Sequence, residues 1–153
     1  TNWEGTGVVP DVACPADQAL DRAYALALSR LHDKAPGTGN KKDWLKGLLD
    51  YQRGVAEPKD ISPAEMEAFA GTYGPFQVMI ENGRLLAVDP SGKKSALFYQ
   101  GADMFILEGN KTMKIVFRRD TAGRVASVAT LGFDGSVGTP VPKNREPETG
   151  SAL

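Results

Sequence analysis

Apolar residues recur at spacings of three and four as far as residue 55 and at every second position after residue 70, so the sequence predicts helices followed by strands. In the first helical stretch Leu20, Tyr24, Ala27, Leu28 and Leu31 form a stripe expected to be buried, while Asp21, Arg22, Ser29 and Arg30 fall mostly elsewhere. Pro15-Ala16-Asp17 suits its start, because proline fits a first turn and aspartate faces the positive end of the helix dipole. His32 and Lys34 suit its last turn, before Pro36-Gly37-Thr38-Gly39 ends it. A second helix is expected over 41–55, with Trp44, Leu45, Leu48, Leu49 and either Tyr51 or Gln52 as its packing strip. Ser62-Pro63-Ala64-Glu65 reads as a capping box with proline at the first helical position, opening a short helix to about Phe69.

From Gly71 the period becomes two: Phe76, Val78 and Ile80 alternate with Gln77, Met79 and Glu81. Asn82-Gly83 predicts a tight hairpin into a returning strand at 84–88, since both residues tolerate positive φ. Further strands are expected at 95–99, 104–108, 112–118 and 125–131, separated by turn formers such as Pro90-Ser91-Gly92 and Gly109-Asn110. The fold class is therefore α+β, with N-terminal helices followed by a small, strongly curved antiparallel sheet or open barrel. The boundaries fall at 1–58 for the helical part, 59–134 for the β domain and 135–153 for an extended or mobile tail poor in apolar residues.

Eighteen Lys and Arg against nineteen Asp and Glu leave a net charge of -1, too little field to gather nucleic acid, so no nucleic-acid partner is expected. The apolar runs fall well short of the roughly 20 residues of a transmembrane helix, and no transmembrane segment is expected. The lone Cys14 excludes an intramolecular disulfide and is read as structural.

A hydrolytic centre needs a nucleophile within reach of a base. The single histidine, His32, lies beside Asp33 and Lys34 at a helix end and is read as a cap or dipole partner. Ser29, Ser62, Ser91, Ser95, Ser127 and Ser136 are read as lying outside any nucleophile frame, with Ser62 already serving as a cap. Asp11, Asp17 and Asp21 are read as solvated rather than metal-binding, and Gly5-Thr6-Gly7 and Gly37-Thr38-Gly39 as turns rather than phosphate loops. No catalytic, cofactor-binding or metal-ligating residue is assigned, and no cofactor is expected. Tyr73, Phe76, Tyr99, Phe105 and Phe117 are read either as sheet core or as the mouth of a groove for an apolar ligand or extended peptide. Trp44 is read as a packing residue.

Thr1-Asn2-Trp3-Glu4-Gly5-Thr6-Gly7-Val8-Val9-Pro10-Asp11-Val12, followed by Pro15-Ala16-Asp17-Gln18-Ala19-Leu20-Asp21-Arg22-Ala23, resembles the end of the catalytic region of carboxy-terminal-processing and tricorn-like serine peptidases, especially those related to the repeats of interphotoreceptor retinoid-binding protein. That resemblance covers about residues 1 to 34. The pattern Phe69-Ala70-Gly71-Thr72-Tyr73-Gly74, then Asn82-Gly83-Arg84-Leu85 and Asp103-Met104-Phe105, looks like the small sheet domains appended to some bacterial serine peptidases and beta-lactamase-like hydrolases, over about residues 65 to 131.

The resemblance implies the non-catalytic C-terminal part of a larger bacterial serine peptidase, periplasmic, secreted or associated with the cell envelope, with an accessory or substrate-positioning role. Residues 1–58 would then be the end of a peptidase core with a helical linker. In that family the catalytic serine and its partner precede the Gly-x-Gly-Val-x-Pro-Asp segment, so none is carried over to this chain. The implied partners are a missing upstream peptidase core and a peptide or protein substrate. Two alternatives stand beside it: a peptide-, glycan- or lipid-binding module, which a deep, partly apolar cleft favours, and a structural or oligomer-forming unit, which a filled sheet interior with an apolar helix surface favours.

Overall fold

The computed structural model describes residues 11–37 and 39–144. A single 3-10 turn, Ala16–Gln18, leads into α1 (Ala19–Lys34), followed by α2 (Asn40–Ala56) and α3 (Pro63–Phe69). The capping box forms as the sequence predicts. The Glu65 amide donates to Ser62 Oγ at 3.3 Å, and the Ser62 amide donates back to Glu65 Oε2 at 3.2 Å. These bonds satisfy end amides that have no partner within the helix.

Eight strands follow: β1 (Gly71–Tyr73), β2 (Phe76–Glu81), β3 (Arg84–Val88), β4 (Lys94–Gly101), β5 (Met104–Leu107), β6 (Met113–Arg119), β7 (Val125–Gly132) and β8 (Val141–Pro142). Each pairs antiparallel with the next, in the order β1 to β8. Asn82 and Gly83, at φ 51° and 73°, make the β2–β3 turn as expected. From sequence no strand is expected after residue 131, and 135–153 are expected as an extended or mobile tail, of which 145–153 lie outside the described residues. Here Val141 pairs with Val128. A bridge between Tyr73 and Lys143, and a bond from the Asn144 amide to the Thr72 carbonyl at 2.7 Å, bring the last strand back to the first. The sheet is thus a nearly closed barrel. Closure removes the open edges that a seven-stranded meander would leave, which alternation along 76–131 does not disclose.

Cross-strand partners such as Leu97 with Leu107, Phe105 with Ile115 and Phe117 with Val128 share the inward face. α3 closes one end of the barrel. Phe69 lies 5.0 Å from the Phe105 ring and 4.9 Å from the Phe117 ring, and Tyr73 5.5 Å from Phe117. Arg119 clamps the same end, with Nε 2.9 Å and Nη2 2.8 Å from the two Asp103 carboxylate oxygens.

Tyr73 is wholly buried, its hydroxyl donating to the Phe69 carbonyl at 2.7 Å. Burial raises its phenol above the ordinary tyrosine value. The folded chain therefore keeps this proton at a pH where the unfolded chain loses it, so its contribution is complete below about pH 10 and is lost as pH rises further. Denaturant midpoints measured across that alkaline range should fall more steeply for the native chain than for Tyr73→Phe. At neutral pH the variant should be less stable by about 1–3 kcal/mol, because the Phe69 carbonyl loses its donor. Parallel alkaline profiles would remove Tyr73 as the cause.

A second apolar cluster lies between α1 and α2, formed by Leu28, Leu45, Leu48 and Leu49 with Ala25 and Ala35 against it. The expected α1 stripe is corrected here: Leu28 is 4% exposed, but Leu20 is 81%, Leu31 55% and Tyr24 and Ala27 are also exposed. The face that meets α2 runs through Asp21, Ala25 and Leu28, with Asp21 Oδ1 accepting from the buried Gln52 Nε2 at 2.6 Å. That face is offset by one residue from 20, 24, 27 and 31, about 100° around the helix. Trp44, expected to pack, is 46% exposed, because the strip buried on α2 is Leu45, Leu48, Leu49 and Gln52.

α2 also crosses the outside of the barrel. Ile106, one position out of phase with the inward Phe105, is buried on that outer face. Gly54 makes the approach possible: a Cβ there would overlap the Ile106 and Gln100 side chains. Gln100 Nε2 donates to the Gly54 carbonyl at 3.1 Å, and the Lys59 amide to the Tyr99 carbonyl at 2.9 Å.

Candidate functional site

Where α2 passes the starts of β6 and the 108–112 loop, the two surfaces diverge into a cleft of about 220 Å³. α2 contributes Lys46, Asp50 and Tyr51, and the barrel contributes Lys111, Lys114 and Phe133. The floor is apolar, from Ile106, Met113 and Leu131. Lys114 Nζ stands 3.2 Å from Asp50 Oδ2, and the Gly109 amide donates to the Tyr51 hydroxyl oxygen at 2.9 Å. The loop is shaped locally: Asn110 Oδ1 accepts from the Thr112 amide at 3.1 Å and its hydroxyl at 3.0 Å, an Asx turn that presents Lys111 outward. Lys111 Nζ lies 6.0 Å from the centre of the Tyr24 ring, so the loop also touches α1.

A second concavity, about 520 Å³, opens at the barrel end opposite α3. Phe76, Ala87 and Leu107 line it, with Asp89, Lys93 and Ser95 at its rim. It is shallow, because Tyr73, Leu97 and Phe105 fill the interior below. The Asp89 carboxyl is held below its usual range first by the Ser91 hydroxyl, with the Lys93 and Ser91 amides adding to the effect. Its Oδ1 accepts all three of these bonds within its own turn.

Of the five aromatic residues offered as core or groove, Tyr73, Phe105 and Phe117 are buried, and Tyr99 packs 5.1 Å from Phe105. Phe76 is 45% exposed at the mouth, and Ile80 at the other end of β2 is also exposed, so the expected Phe76, Val78 and Ile80 face is buried only at Val78. Strand ends project beyond the packed centre, which alternation alone does not show.

His32 sits in the last turn of α1 with Nδ1 3.5 Å from Asp33 Oδ1, and no hydrogen bond joins it to a serine hydroxyl among the described residues. Ser91-Gly92-Lys93-Lys94 does have the Ser-x-x-Lys spacing, a frame that the reading of serines as frameless passes over. The structure separates the pair chemically: Ser91 Oγ donates to Asp89 Oδ1 at 2.5 Å, while Lys94 Nζ binds Glu81 Oε1 at 2.6 Å. Among the described residues no group of three or more His, Cys, Asp or Glu is placed to hold a metal ion. No helix among them is long and apolar enough to cross a membrane. Residues 1–10, including Gly5-Thr6-Gly7 and most of the Gly-x-Gly-Val-x-Pro-Asp segment, lie outside the described residues. The cleft carries no sequence signature, because its residues come from positions 46–51, 106, 110–114 and 131–135 and share no local pattern.

No family model and no solved structure matches the chain.

Proposed function

We propose that this chain is the non-catalytic C-terminal part of a bacterial serine peptidase that works in the periplasm, outside the cell or at its envelope, and that it supports or positions substrate for a catalytic core preceding it. The observation that carries the reading is the uncovered apolar face of α1, Leu20, Tyr24, Ala27 and Leu31, on the helix that follows the peptidase-like segment. A contiguous apolar helix face is the kind of surface onto which a partner docks. The neighbouring barrel has a filled interior, and in this reading it acts from outside the catalytic centre.

By itself the chain should cleave neither an unstructured protein nor a broad peptide library. Saturable cleavage abolished by replacing one of its own serines would sink the proposal. In the parent polypeptide, Leu20→Glu together with Leu31→Glu should lower peptidase activity while leaving the melting of the isolated chain nearly unchanged. A parent without a serine-peptidase core upstream also rejects it.

The same exposed face together with the filled barrel interior favours a second reading, a structural or oligomer-forming unit in which the chain pairs with its own copy through α1. Sedimentation separates the two: a dimer dispersed by Leu31→Glu supports self-association, and a monomer across the accessible concentrations rejects it.

A further inference from the structure

We propose that the cleft between α2 and the 108–112 loop binds a small carboxylate with an aromatic or compact apolar body. This inference does not rest on the peptidase reading. The chain carries a net charge of -1, yet three lysines face one aspartate around this cleft. Asp50 is paired with Lys114, so Lys46 and Lys111 remain as the cations whose amines are bound to no carboxylate among the described residues. Tyr51 uses its hydroxyl oxygen as an acceptor for the Gly109 amide, which leaves its proton to donate. Asn110 spends its carbonyl oxygen on Thr112 and keeps its NH₂ as a donor. The polar groups are therefore donors in excess, a composition that selects an anion.

The other half of the ligand follows from the floor. Ile106, Met113 and Leu131 lie beneath, and the half-exposed Phe133 forms a wall. A protein cavity of about 150 Å³ accommodates benzene, so 220 Å³ has room for a single ring carrying a short acid tail. An inorganic anion would leave the floor wet, and a neutral ring would leave the lysines unanswered. The barrel mouth is the weaker candidate, because its rim mixes Asp89 with Lys93 and its floor is shallow.

The test is a titration of the isotopically labelled full chain with 3-phenylpropionate, its primary amide, propionate and inorganic phosphate, followed by backbone amide shifts. Phenylpropionate should move the amides of Gly47, Gly109, Lys114 and Gly132 saturably. The amide, propionate and phosphate should each bind at least about tenfold more weakly, a difference of about 1.4 kcal/mol. Lys46→Glu, at an exposed position, should weaken phenylpropionate by a similar factor without changing the remaining spectrum. Added salt should weaken it too. Equal binding of acid and amide would remove the charge requirement, and equal binding of phosphate would remove the apolar one. Shifts confined to Phe76, Ala87 and Ser95 would move the site to the barrel mouth, and no saturable shift would reject it; any of these overturns the proposal.

Discussion

Phe105→Ala is expected to lower the unfolding free energy by about 3–5 kcal/mol, the largest effect of any single truncation in the barrel. Phe105 has no exposed surface and touches three other rings: Phe69 at 5.0 Å, Tyr99 at 5.1 Å and Phe117 at 5.4 Å. Removing it deletes the buried area of one aromatic side chain and the edge contacts of its neighbours, and leaves a void bounded by α3 on one side and β6 on the other. The backbone cannot collapse to fill that void without breaking the pairing of β5 with β4 and β6. Against a typical total of about 5–15 kcal/mol, such a loss brings the fold close to its limit. Phe76→Ala, at the exposed mouth, provides the control and should cost far less. Urea midpoints of the two variants decide the matter, and a loss under about 1 kcal/mol for Phe105→Ala would mean that the rings do not form the structural centre described.

The second large effect separates two leucines three residues apart on α1. Leu28→Ala should cost about 2–5 kcal/mol, since Leu28 is enclosed by Leu45, Leu48 and Leu49. Leu31→Ala should stay within about 0.5 kcal/mol, because its side chain already meets water. Denaturant unfolding followed by far-ultraviolet circular dichroism reads both. Comparable losses at the two positions would restore the stripe read from sequence and leave α1 no free face for a partner, removing the observation on which the docking proposal stands.

These two contrasts also locate what is legible in the chain. Helix ends, the capping box at Ser62 and Glu65, and the Asn82-Gly83 turn depend on a few neighbouring residues whose backbone preferences and end amides act locally. They follow from sequence because no distant contact has to be known. The strands from 76 to 131 follow from their alternation for the same reason, and the α+β class follows from their order after the helices. The Ser91–Lys94 spacing shows where local spacing misleads: the two side chains turn to Asp89 and Glu81.

Tertiary structure alone decided which side of each element is covered. On α1, Leu20 and Leu28 are equally apolar, and only the placement of α2 makes one a surface and the other a core residue. Val141 joins the sheet because the barrel's curvature brings β7 and β1 within reach of it, a long-range pairing with little local signature. The cleft exists because Gly54 lets α2 press against Ile106 while the 108–112 loop meets the helix at Tyr51, leaving the space between them open. Its lysines are unremarkable surface positions one at a time. Burial and convergence are properties of pairs of elements, and their free energy depends on contacts between residues far apart in the chain, which periodicity along a single segment does not encode.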